Sequence, residues 1–67
     1  MSSQEILPTV KELRLRRGWY QPELAQRADV SPQTIRKIEQ GKKVSLVSRH
    51  RVANVLEWNV EDINWEF

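Results

Sequence analysis

QPELAQRADVSPQTIRKIEQG, residues 21–41, is the stretch whose reading decides the fold. Leu24, Ala25 and Ala28 fall at i, i+1 and i+4, the inner stripe of a short helix over Gln21–Ala28, and Pro22 suits its first turn, where a missing N–H is harmless. Ser31 followed by Pro32 marks a second helix start, with the serine as cap and the proline in the first position. That helix runs over Pro32–Gln40 with Ile35 and Ile38 inward and Glu39 close to their stripe, and Gly41 closes it. Asp29 stands in the tight turn between the two helices. It either adopts positive φ, as a turn between crossing helices commonly requires, or ends an ordinary helix at the surface. Ala25 is small at the centre of its stripe, which lets the second helix cross close by.

The pattern continues on both sides. Thr9 and Glu12 form a capping-box spacing for a helix that begins near Thr9, or at Pro8, and stops at Gly18. Val10 and Leu13 mark its buried stripe, Arg14 and Arg17 extend it, and Leu15 falls outside it. Residues 1–7 read as a loose lead. Trp19, just after the stop, is expected to pack between helices. Beyond a basic loop of Gly41, Lys42, Lys43 and Val44, Ser45 caps a fourth helix whose inner face reads Leu46, Val52, Ala53 and Leu56, interrupted by Arg49 and His50. Asn59 caps a short fifth helix with Val60 and Ile63 inward. Five helices without a strand pattern predict an all-α fold, with residues 1–67 as a single domain organised around the pair at 21–40.

The charge is divided. From Arg14 to Arg51 there are ten Lys or Arg against three acids, whereas Val52 to Phe67 holds four acids and no base. One part of the surface therefore suits a polyanion and another repels it. With no cysteine and one histidine, disulfides and thiolate metal sites are excluded and a zinc site is not expected. No apolar run approaches the roughly 20 residues of a membrane span, and no signal-peptide layout opens the chain, so a cytoplasmic location is expected. No nucleophile, base and orienter set or Gly-rich phosphate loop is present, and no enzyme, cofactor or small-molecule ligand is expected.

The spacing in 21–41, with Val10, Leu13 and Arg14 before it and Ala53, Leu56 and Ile63 after it, resembles the phage-repressor, Cro-like (XRE-type) helix-turn-helix family. The resemblance covers roughly Val10 to Ile63 and implies a five-helix, lambda-repressor-like DNA-binding domain. It implies base contacts from Gln33, Thr34, Arg36 and Lys37 in the major groove, and phosphate contacts from Gln21, Tyr20, Arg27, Lys42 and Lys43. It also implies a structural ion pair between Arg14 and Glu39. Four departures stand out. Tyr20 replaces a capping Ser or Thr, Pro32 replaces a position that bonds a base in some members, Asp29 and Glu57 stand where glycine is common, and Arg49 and His50 replace apolar residues.

The function so implied is a small transcriptional repressor that occludes a promoter. It would bind a palindromic operator as a homodimer, with one recognition helix per half-site, and associate with the nucleoid. An antitoxin or a protein-interaction adaptor on the same fold is the alternative. Trp58, Trp65 and Phe67 motivate it, since three large aromatics amid acids serve either to close the core or to form a dimer or partner surface. His50 is expected at the surface or rim.

Overall fold

A computed structural model describes residues 6–66, and within them the chain forms α1 (Val10–Arg16), α2 (Gln21–Ala28), α3 (Pro32–Glu39), α4 (Leu46–Val55) and a single 3-10 turn (Val60–Asp62). The expected fifth helix is that turn. Asn59 precedes it without capping a backbone N–H and instead donates to the Asp62 carboxylate at 3.2 Å. The backbone leaves in an extended conformation at Ile63 (φ −114°, ψ 137°), so the segment closes an i→i+3 bond, from Asp62 N–H to the Asn59 carbonyl at 2.9 Å, and does not propagate as an α-helix.

The helix starts follow the sequence. Thr9 and Glu12 close a reciprocal capping box, and Ser31 and Ser45 accept from the backbone N–H of Thr34 and Ser48. α2 alone among the four lacks a side-chain cap, because Tyr20 occupies the N-cap position. Termination is uniform. After every α-helix the backbone closes a pair of bonds, 6→1 and 5→2, around one left-handed residue. Those residues are Gly18, Asp29, Gly41 and Glu57, and the 6→1 bonds run from Trp19 to Arg14, Val30 to Ala25, Lys42 to Lys37 and Trp58 to Ala53. Asp29 has φ 59° and Glu57 φ 57°. Two side-chain-bearing residues thus occupy a conformation most cheaply supplied by glycine.

The core is one cluster fed by every element. Val10, Leu24, Ile35, Ile38, Val52 and Leu56 are fully buried, Leu13, Ala25, Ala28, Ala53 and Ile63 nearly so, and Trp19, Val30, Val44, Val55 and Val60 pack at its edge. Trp65 also lies in this core, at 8 % exposure, with its indole N–H donating to the Val60 carbonyl at 2.8 Å and the Arg49 guanidinium stacked 5.3 Å from its ring. It is therefore a core residue and leaves the candidate partner surface. Trp58 is the aromatic that stays partly exposed, its indole N–H bonded to the Asp62 carbonyl.

Leu46 departs from expectation in the other direction. It is 66 % exposed, because the first turn of α4 projects past the core that Val52, Ala53 and Leu56 cover. At the other end of the chain, Leu7 and Pro8 are half-buried and the Pro8 carbonyl accepts from Asn64 N–H at 2.8 Å, so the lead is fastened from there on. The expected looseness of positions 1–5 and the role of Phe67 lie outside the described residues.

Candidate nucleic-acid interface

α3 owes its placement to a buried polar lock. The Arg14 guanidinium donates twice to Glu39, from Nε at 2.7 Å and from Nη2 at 3.1 Å, and once to the Trp19 carbonyl at 2.8 Å. The Gln21 amide donates to Glu39 Oε1 at 2.9 Å. Both charged side chains are under 10 % exposed. Four segments meet there: α1, the α1–α2 loop, the start of α2 and the end of α3. A two-pronged Arg–carboxylate contact admits only one relative orientation of its partners, so the lock fixes the angle at which α3 leaves the core. The implied Arg14–Glu39 pair is thus formed. Gln21, expected on a phosphate, spends part of its side chain on Glu39, and among the described residues one amide N–H and its carbonyl have no other partner.

With Ile35 and Ile38 buried, α3 turns Gln33, Arg36, Lys37 and Gln40 to solvent. Thr34 is half-buried, and its hydroxyl lies 3.0 Å from the Ser31 hydroxyl inside the cap. It sits at the margin of the outer face. Lys42 and Lys43 follow Gly41 as exposed residues, so the tip of the loop continues the cationic surface of the helix.

Arg16 excepted, the arginines elsewhere in the basic stretch are engaged. Arg17 donates to the Leu56 carbonyl at 2.8 Å and approaches Glu57, Arg27 pairs with Glu23 at 3.4 Å, and Arg51 donates to the Asp29 carbonyl at 3.0 Å. Trp19 carries Arg17 and Arg27 over its ring at 5.3 and 4.6 Å. Arg49 stacks on Trp65 with its Nε buried and without a hydrogen-bond partner. Of the ten cations between Arg14 and Arg51, no ion pair or aromatic stack among the described residues involves Arg16, Arg36, Lys37, Lys42 or Lys43. Four of those five lie on α3 and the loop after it. The positive charge free to meet an anion is concentrated on one element and its exit.

A family model described as a helix-turn-helix domain matches residues 9–58. The chain belongs to that family. No curated protein and no solved structure matches it. In a helix-turn-helix the second helix is the element that enters the major groove and the first crosses the backbone, which here are α3 and α2. The structure brings Gln33, Arg36 and Lys37 together on the outer face of α3, with Lys42 and Lys43 at its end. Arg27 stands apart from them, tied to Glu23 and Trp19, and Tyr20 is exposed at the start of α2.

Two contacts that shape this helix-turn-helix have no sequence signal. Arg51 reaches back from α4 to the Asp29 carbonyl and carboxylate, at 3.0 and 3.6 Å, bracing the turn between α2 and α3. Arg17 ties the end of α1 to the last turn of α4. Their partners lie 22 and 39 residues away, a separation that local periodicity does not encode. No helix among the described residues is long and apolar enough to cross a membrane.

Proposed function

We propose that this chain is a sequence-specific, duplex-DNA-binding transcriptional regulator of the Cro-like, XRE-type branch of helix-turn-helix proteins, acting as a repressor by occupying promoter DNA. The observation that carries the reading is the partition of charge: Arg16 apart, the cations elsewhere in the basic stretch are engaged by partners within the fold, whereas those of α3 and the following loop are exposed and, among the described residues, unpaired. α3 would lie in the major groove. Gln33 would favour adenine and Arg36 or Lys37 guanine, because an amide matches the adenine N6/N7 edge and a cation the guanine O6/N7 edge. Thr34, at the margin and bonded within its cap, would make a lesser contact. Lys42, Lys43, Gln21 and Tyr20 would hold phosphates, which position the helix without reading sequence. A homodimer on a palindromic operator would place one α3 in each of two half-sites about one helical turn apart.

Selection of bound duplexes from a random pool, followed by binding at several salt concentrations, tests this. A palindromic consensus with affinity that falls as salt rises supports the reading. Binding that is absent, or indifferent to salt and sequence, refutes it. Burial of Trp65 removes one of the three aromatics that favoured a protein-interaction adaptor.

A further inference from the structure

α4 presents a face that nothing among the described residues covers. Leu46, His50 and Asn54 are exposed at i, i+4 and i+8, Val47 stands beside them, and Leu46 and Val47 are 66 % and 60 % exposed. At about 100° per residue these four lie within one side of the helix, opposite Val52 and Leu56. The flanks of α4 carry opposite charge. Lys42 and Lys43 precede it, Glu57, Glu61 and Asp62 follow it, and the partly exposed Trp58 comes just after its end. Arg51 is bound to Asp29 and Arg49 is stacked on Trp65, so neither dominates the open face.

We propose that a second copy of this chain packs on that face, α4 against α4 and antiparallel about a two-fold axis at the level of Val52. This rests on the homodimer reading and supplies its surface. The argument is self-complementarity. A segment that runs from cationic to apolar to acidic is matched by its own reverse. Antiparallel pairing sets Leu46 near the partner's Trp58, His50 near the partner's Asn54 and, in the DNA-free protein, Lys43 near the partner's Glu61, and it opposes the two helix dipoles. Parallel pairing would set lysine on lysine and acid on acid. Phosphate is a poor occupant, because Glu57, Glu61 and Asp62 repel it. With α4 ten residues long, about 15 Å, the contact falls at the small end of specific interfaces and the dimer is weak in free solution.

Sedimentation equilibrium of the full chain without DNA, from micromolar to millimolar concentration, tests the surface independently of any DNA reading. The expected result is a rise from the 8.0 kDa monomer toward twice that mass. Leu46→Glu, Lys43→Glu and Glu61→Lys should each weaken association about tenfold, with folding checked by circular dichroism. An equimolar mixture of Lys43→Glu and Glu61→Lys chains should dimerise again, because opposite charges then meet at both ends. A protein monomeric throughout the range, a dimer indifferent to all three substitutions, or a mixture that stays monomeric overturns the proposal. A monomer that still binds duplex DNA sinks this surface and leaves the DNA reading standing. A dimer that obeys the charge swaps but binds no DNA does the reverse.

Discussion

Removing either partner of the lock that sets α3 should cost the protein a third or more of its stability, whereas removing both together should cost far less. Arg14→Ala leaves the Glu39 carboxylate, its side chain 5 % exposed, with Gln21 as its remaining donor. Glu39→Ala leaves the Arg14 guanidinium, at 8 %, with only the Trp19 carbonyl. Breaking a buried pair in this way typically costs about 3–5 kcal/mol, since it strands a charge away from water. A chain of 67 residues has a total stability of roughly 3–10 kcal/mol at about 0.05–0.15 kcal/mol per residue. Each single variant should therefore lose a third or more of its stability. Arg14→Met with Glu39→Leu strands no charge, and its net cost should be about 0–2 kcal/mol, from the Trp19 carbonyl and Gln21 amide that lose partners. Urea unfolding of the wild type, Arg14→Met, Glu39→Leu and their double variant closes a cycle that gives the coupling energy, expected to be at least about 2 kcal/mol in favour of the pair. If the single variants cost under about 1 kcal/mol each, or the double variant costs their sum, the lock does not hold α3 as argued. The double variant should also discriminate poorly among duplexes, because two apolar side chains pack without the directionality of a forked hydrogen bond.

Three further outcomes follow from the geometry. Tyr20→Ser should stabilise the fold by about 0.5–2 kcal/mol in the same urea titration, because it restores a cap to α2 at a position where the tyrosine is 78 % exposed. Glu57→Gly should be stabilising by about 0.5–1 kcal/mol, since relief of the left-handed strain exceeds the added backbone entropy and the Arg17 contact it loses is a solvent-exposed one at 3.5 Å; a lower unfolding midpoint would contradict it. On DNA, Lys37→Ala should alter base preference at one step, whereas Lys42→Ala should weaken all sequences alike and lower the salt slope by about one unit. Equal losses across a randomised site for both variants would remove the division between reading and holding.

Much of the scaffold was legible because its signals are local. Thr9, Ser31 and Ser45 cap the helices that follow them through bonds to residues three positions on, and Gly18 and Gly41 stop helices within one turn. Asp29 left two readings open, and the left-handed one is realised because the 6→1 bond from Val30 to Ala25 needs that turn. The candidate surface was legible in outline for the same reason, since burial of Ile35 and Ile38 at helical spacing forces Gln33, Arg36 and Lys37 outward. Its limits were not. Arg27 and Lys42 look alike in the sequence, yet one is held by Glu23 and Trp19 and the other is open.

By itself, then, the chain's sequence determined where four helices begin and where the first three stop, which stripe those three bury, and that the middle of the molecule is cationic. These depend on interactions within about four residues and on composition. Tertiary structure alone decided which cations remain free, that Trp65 rather than Trp58 enters the core, that Leu46 stands outside it, and that Gln21 joins Arg14 and Glu39 beneath α3. Each of those outcomes turns on a partner brought close by the fold from a distant part of the chain, and proximity of that kind has no signature in local spacing.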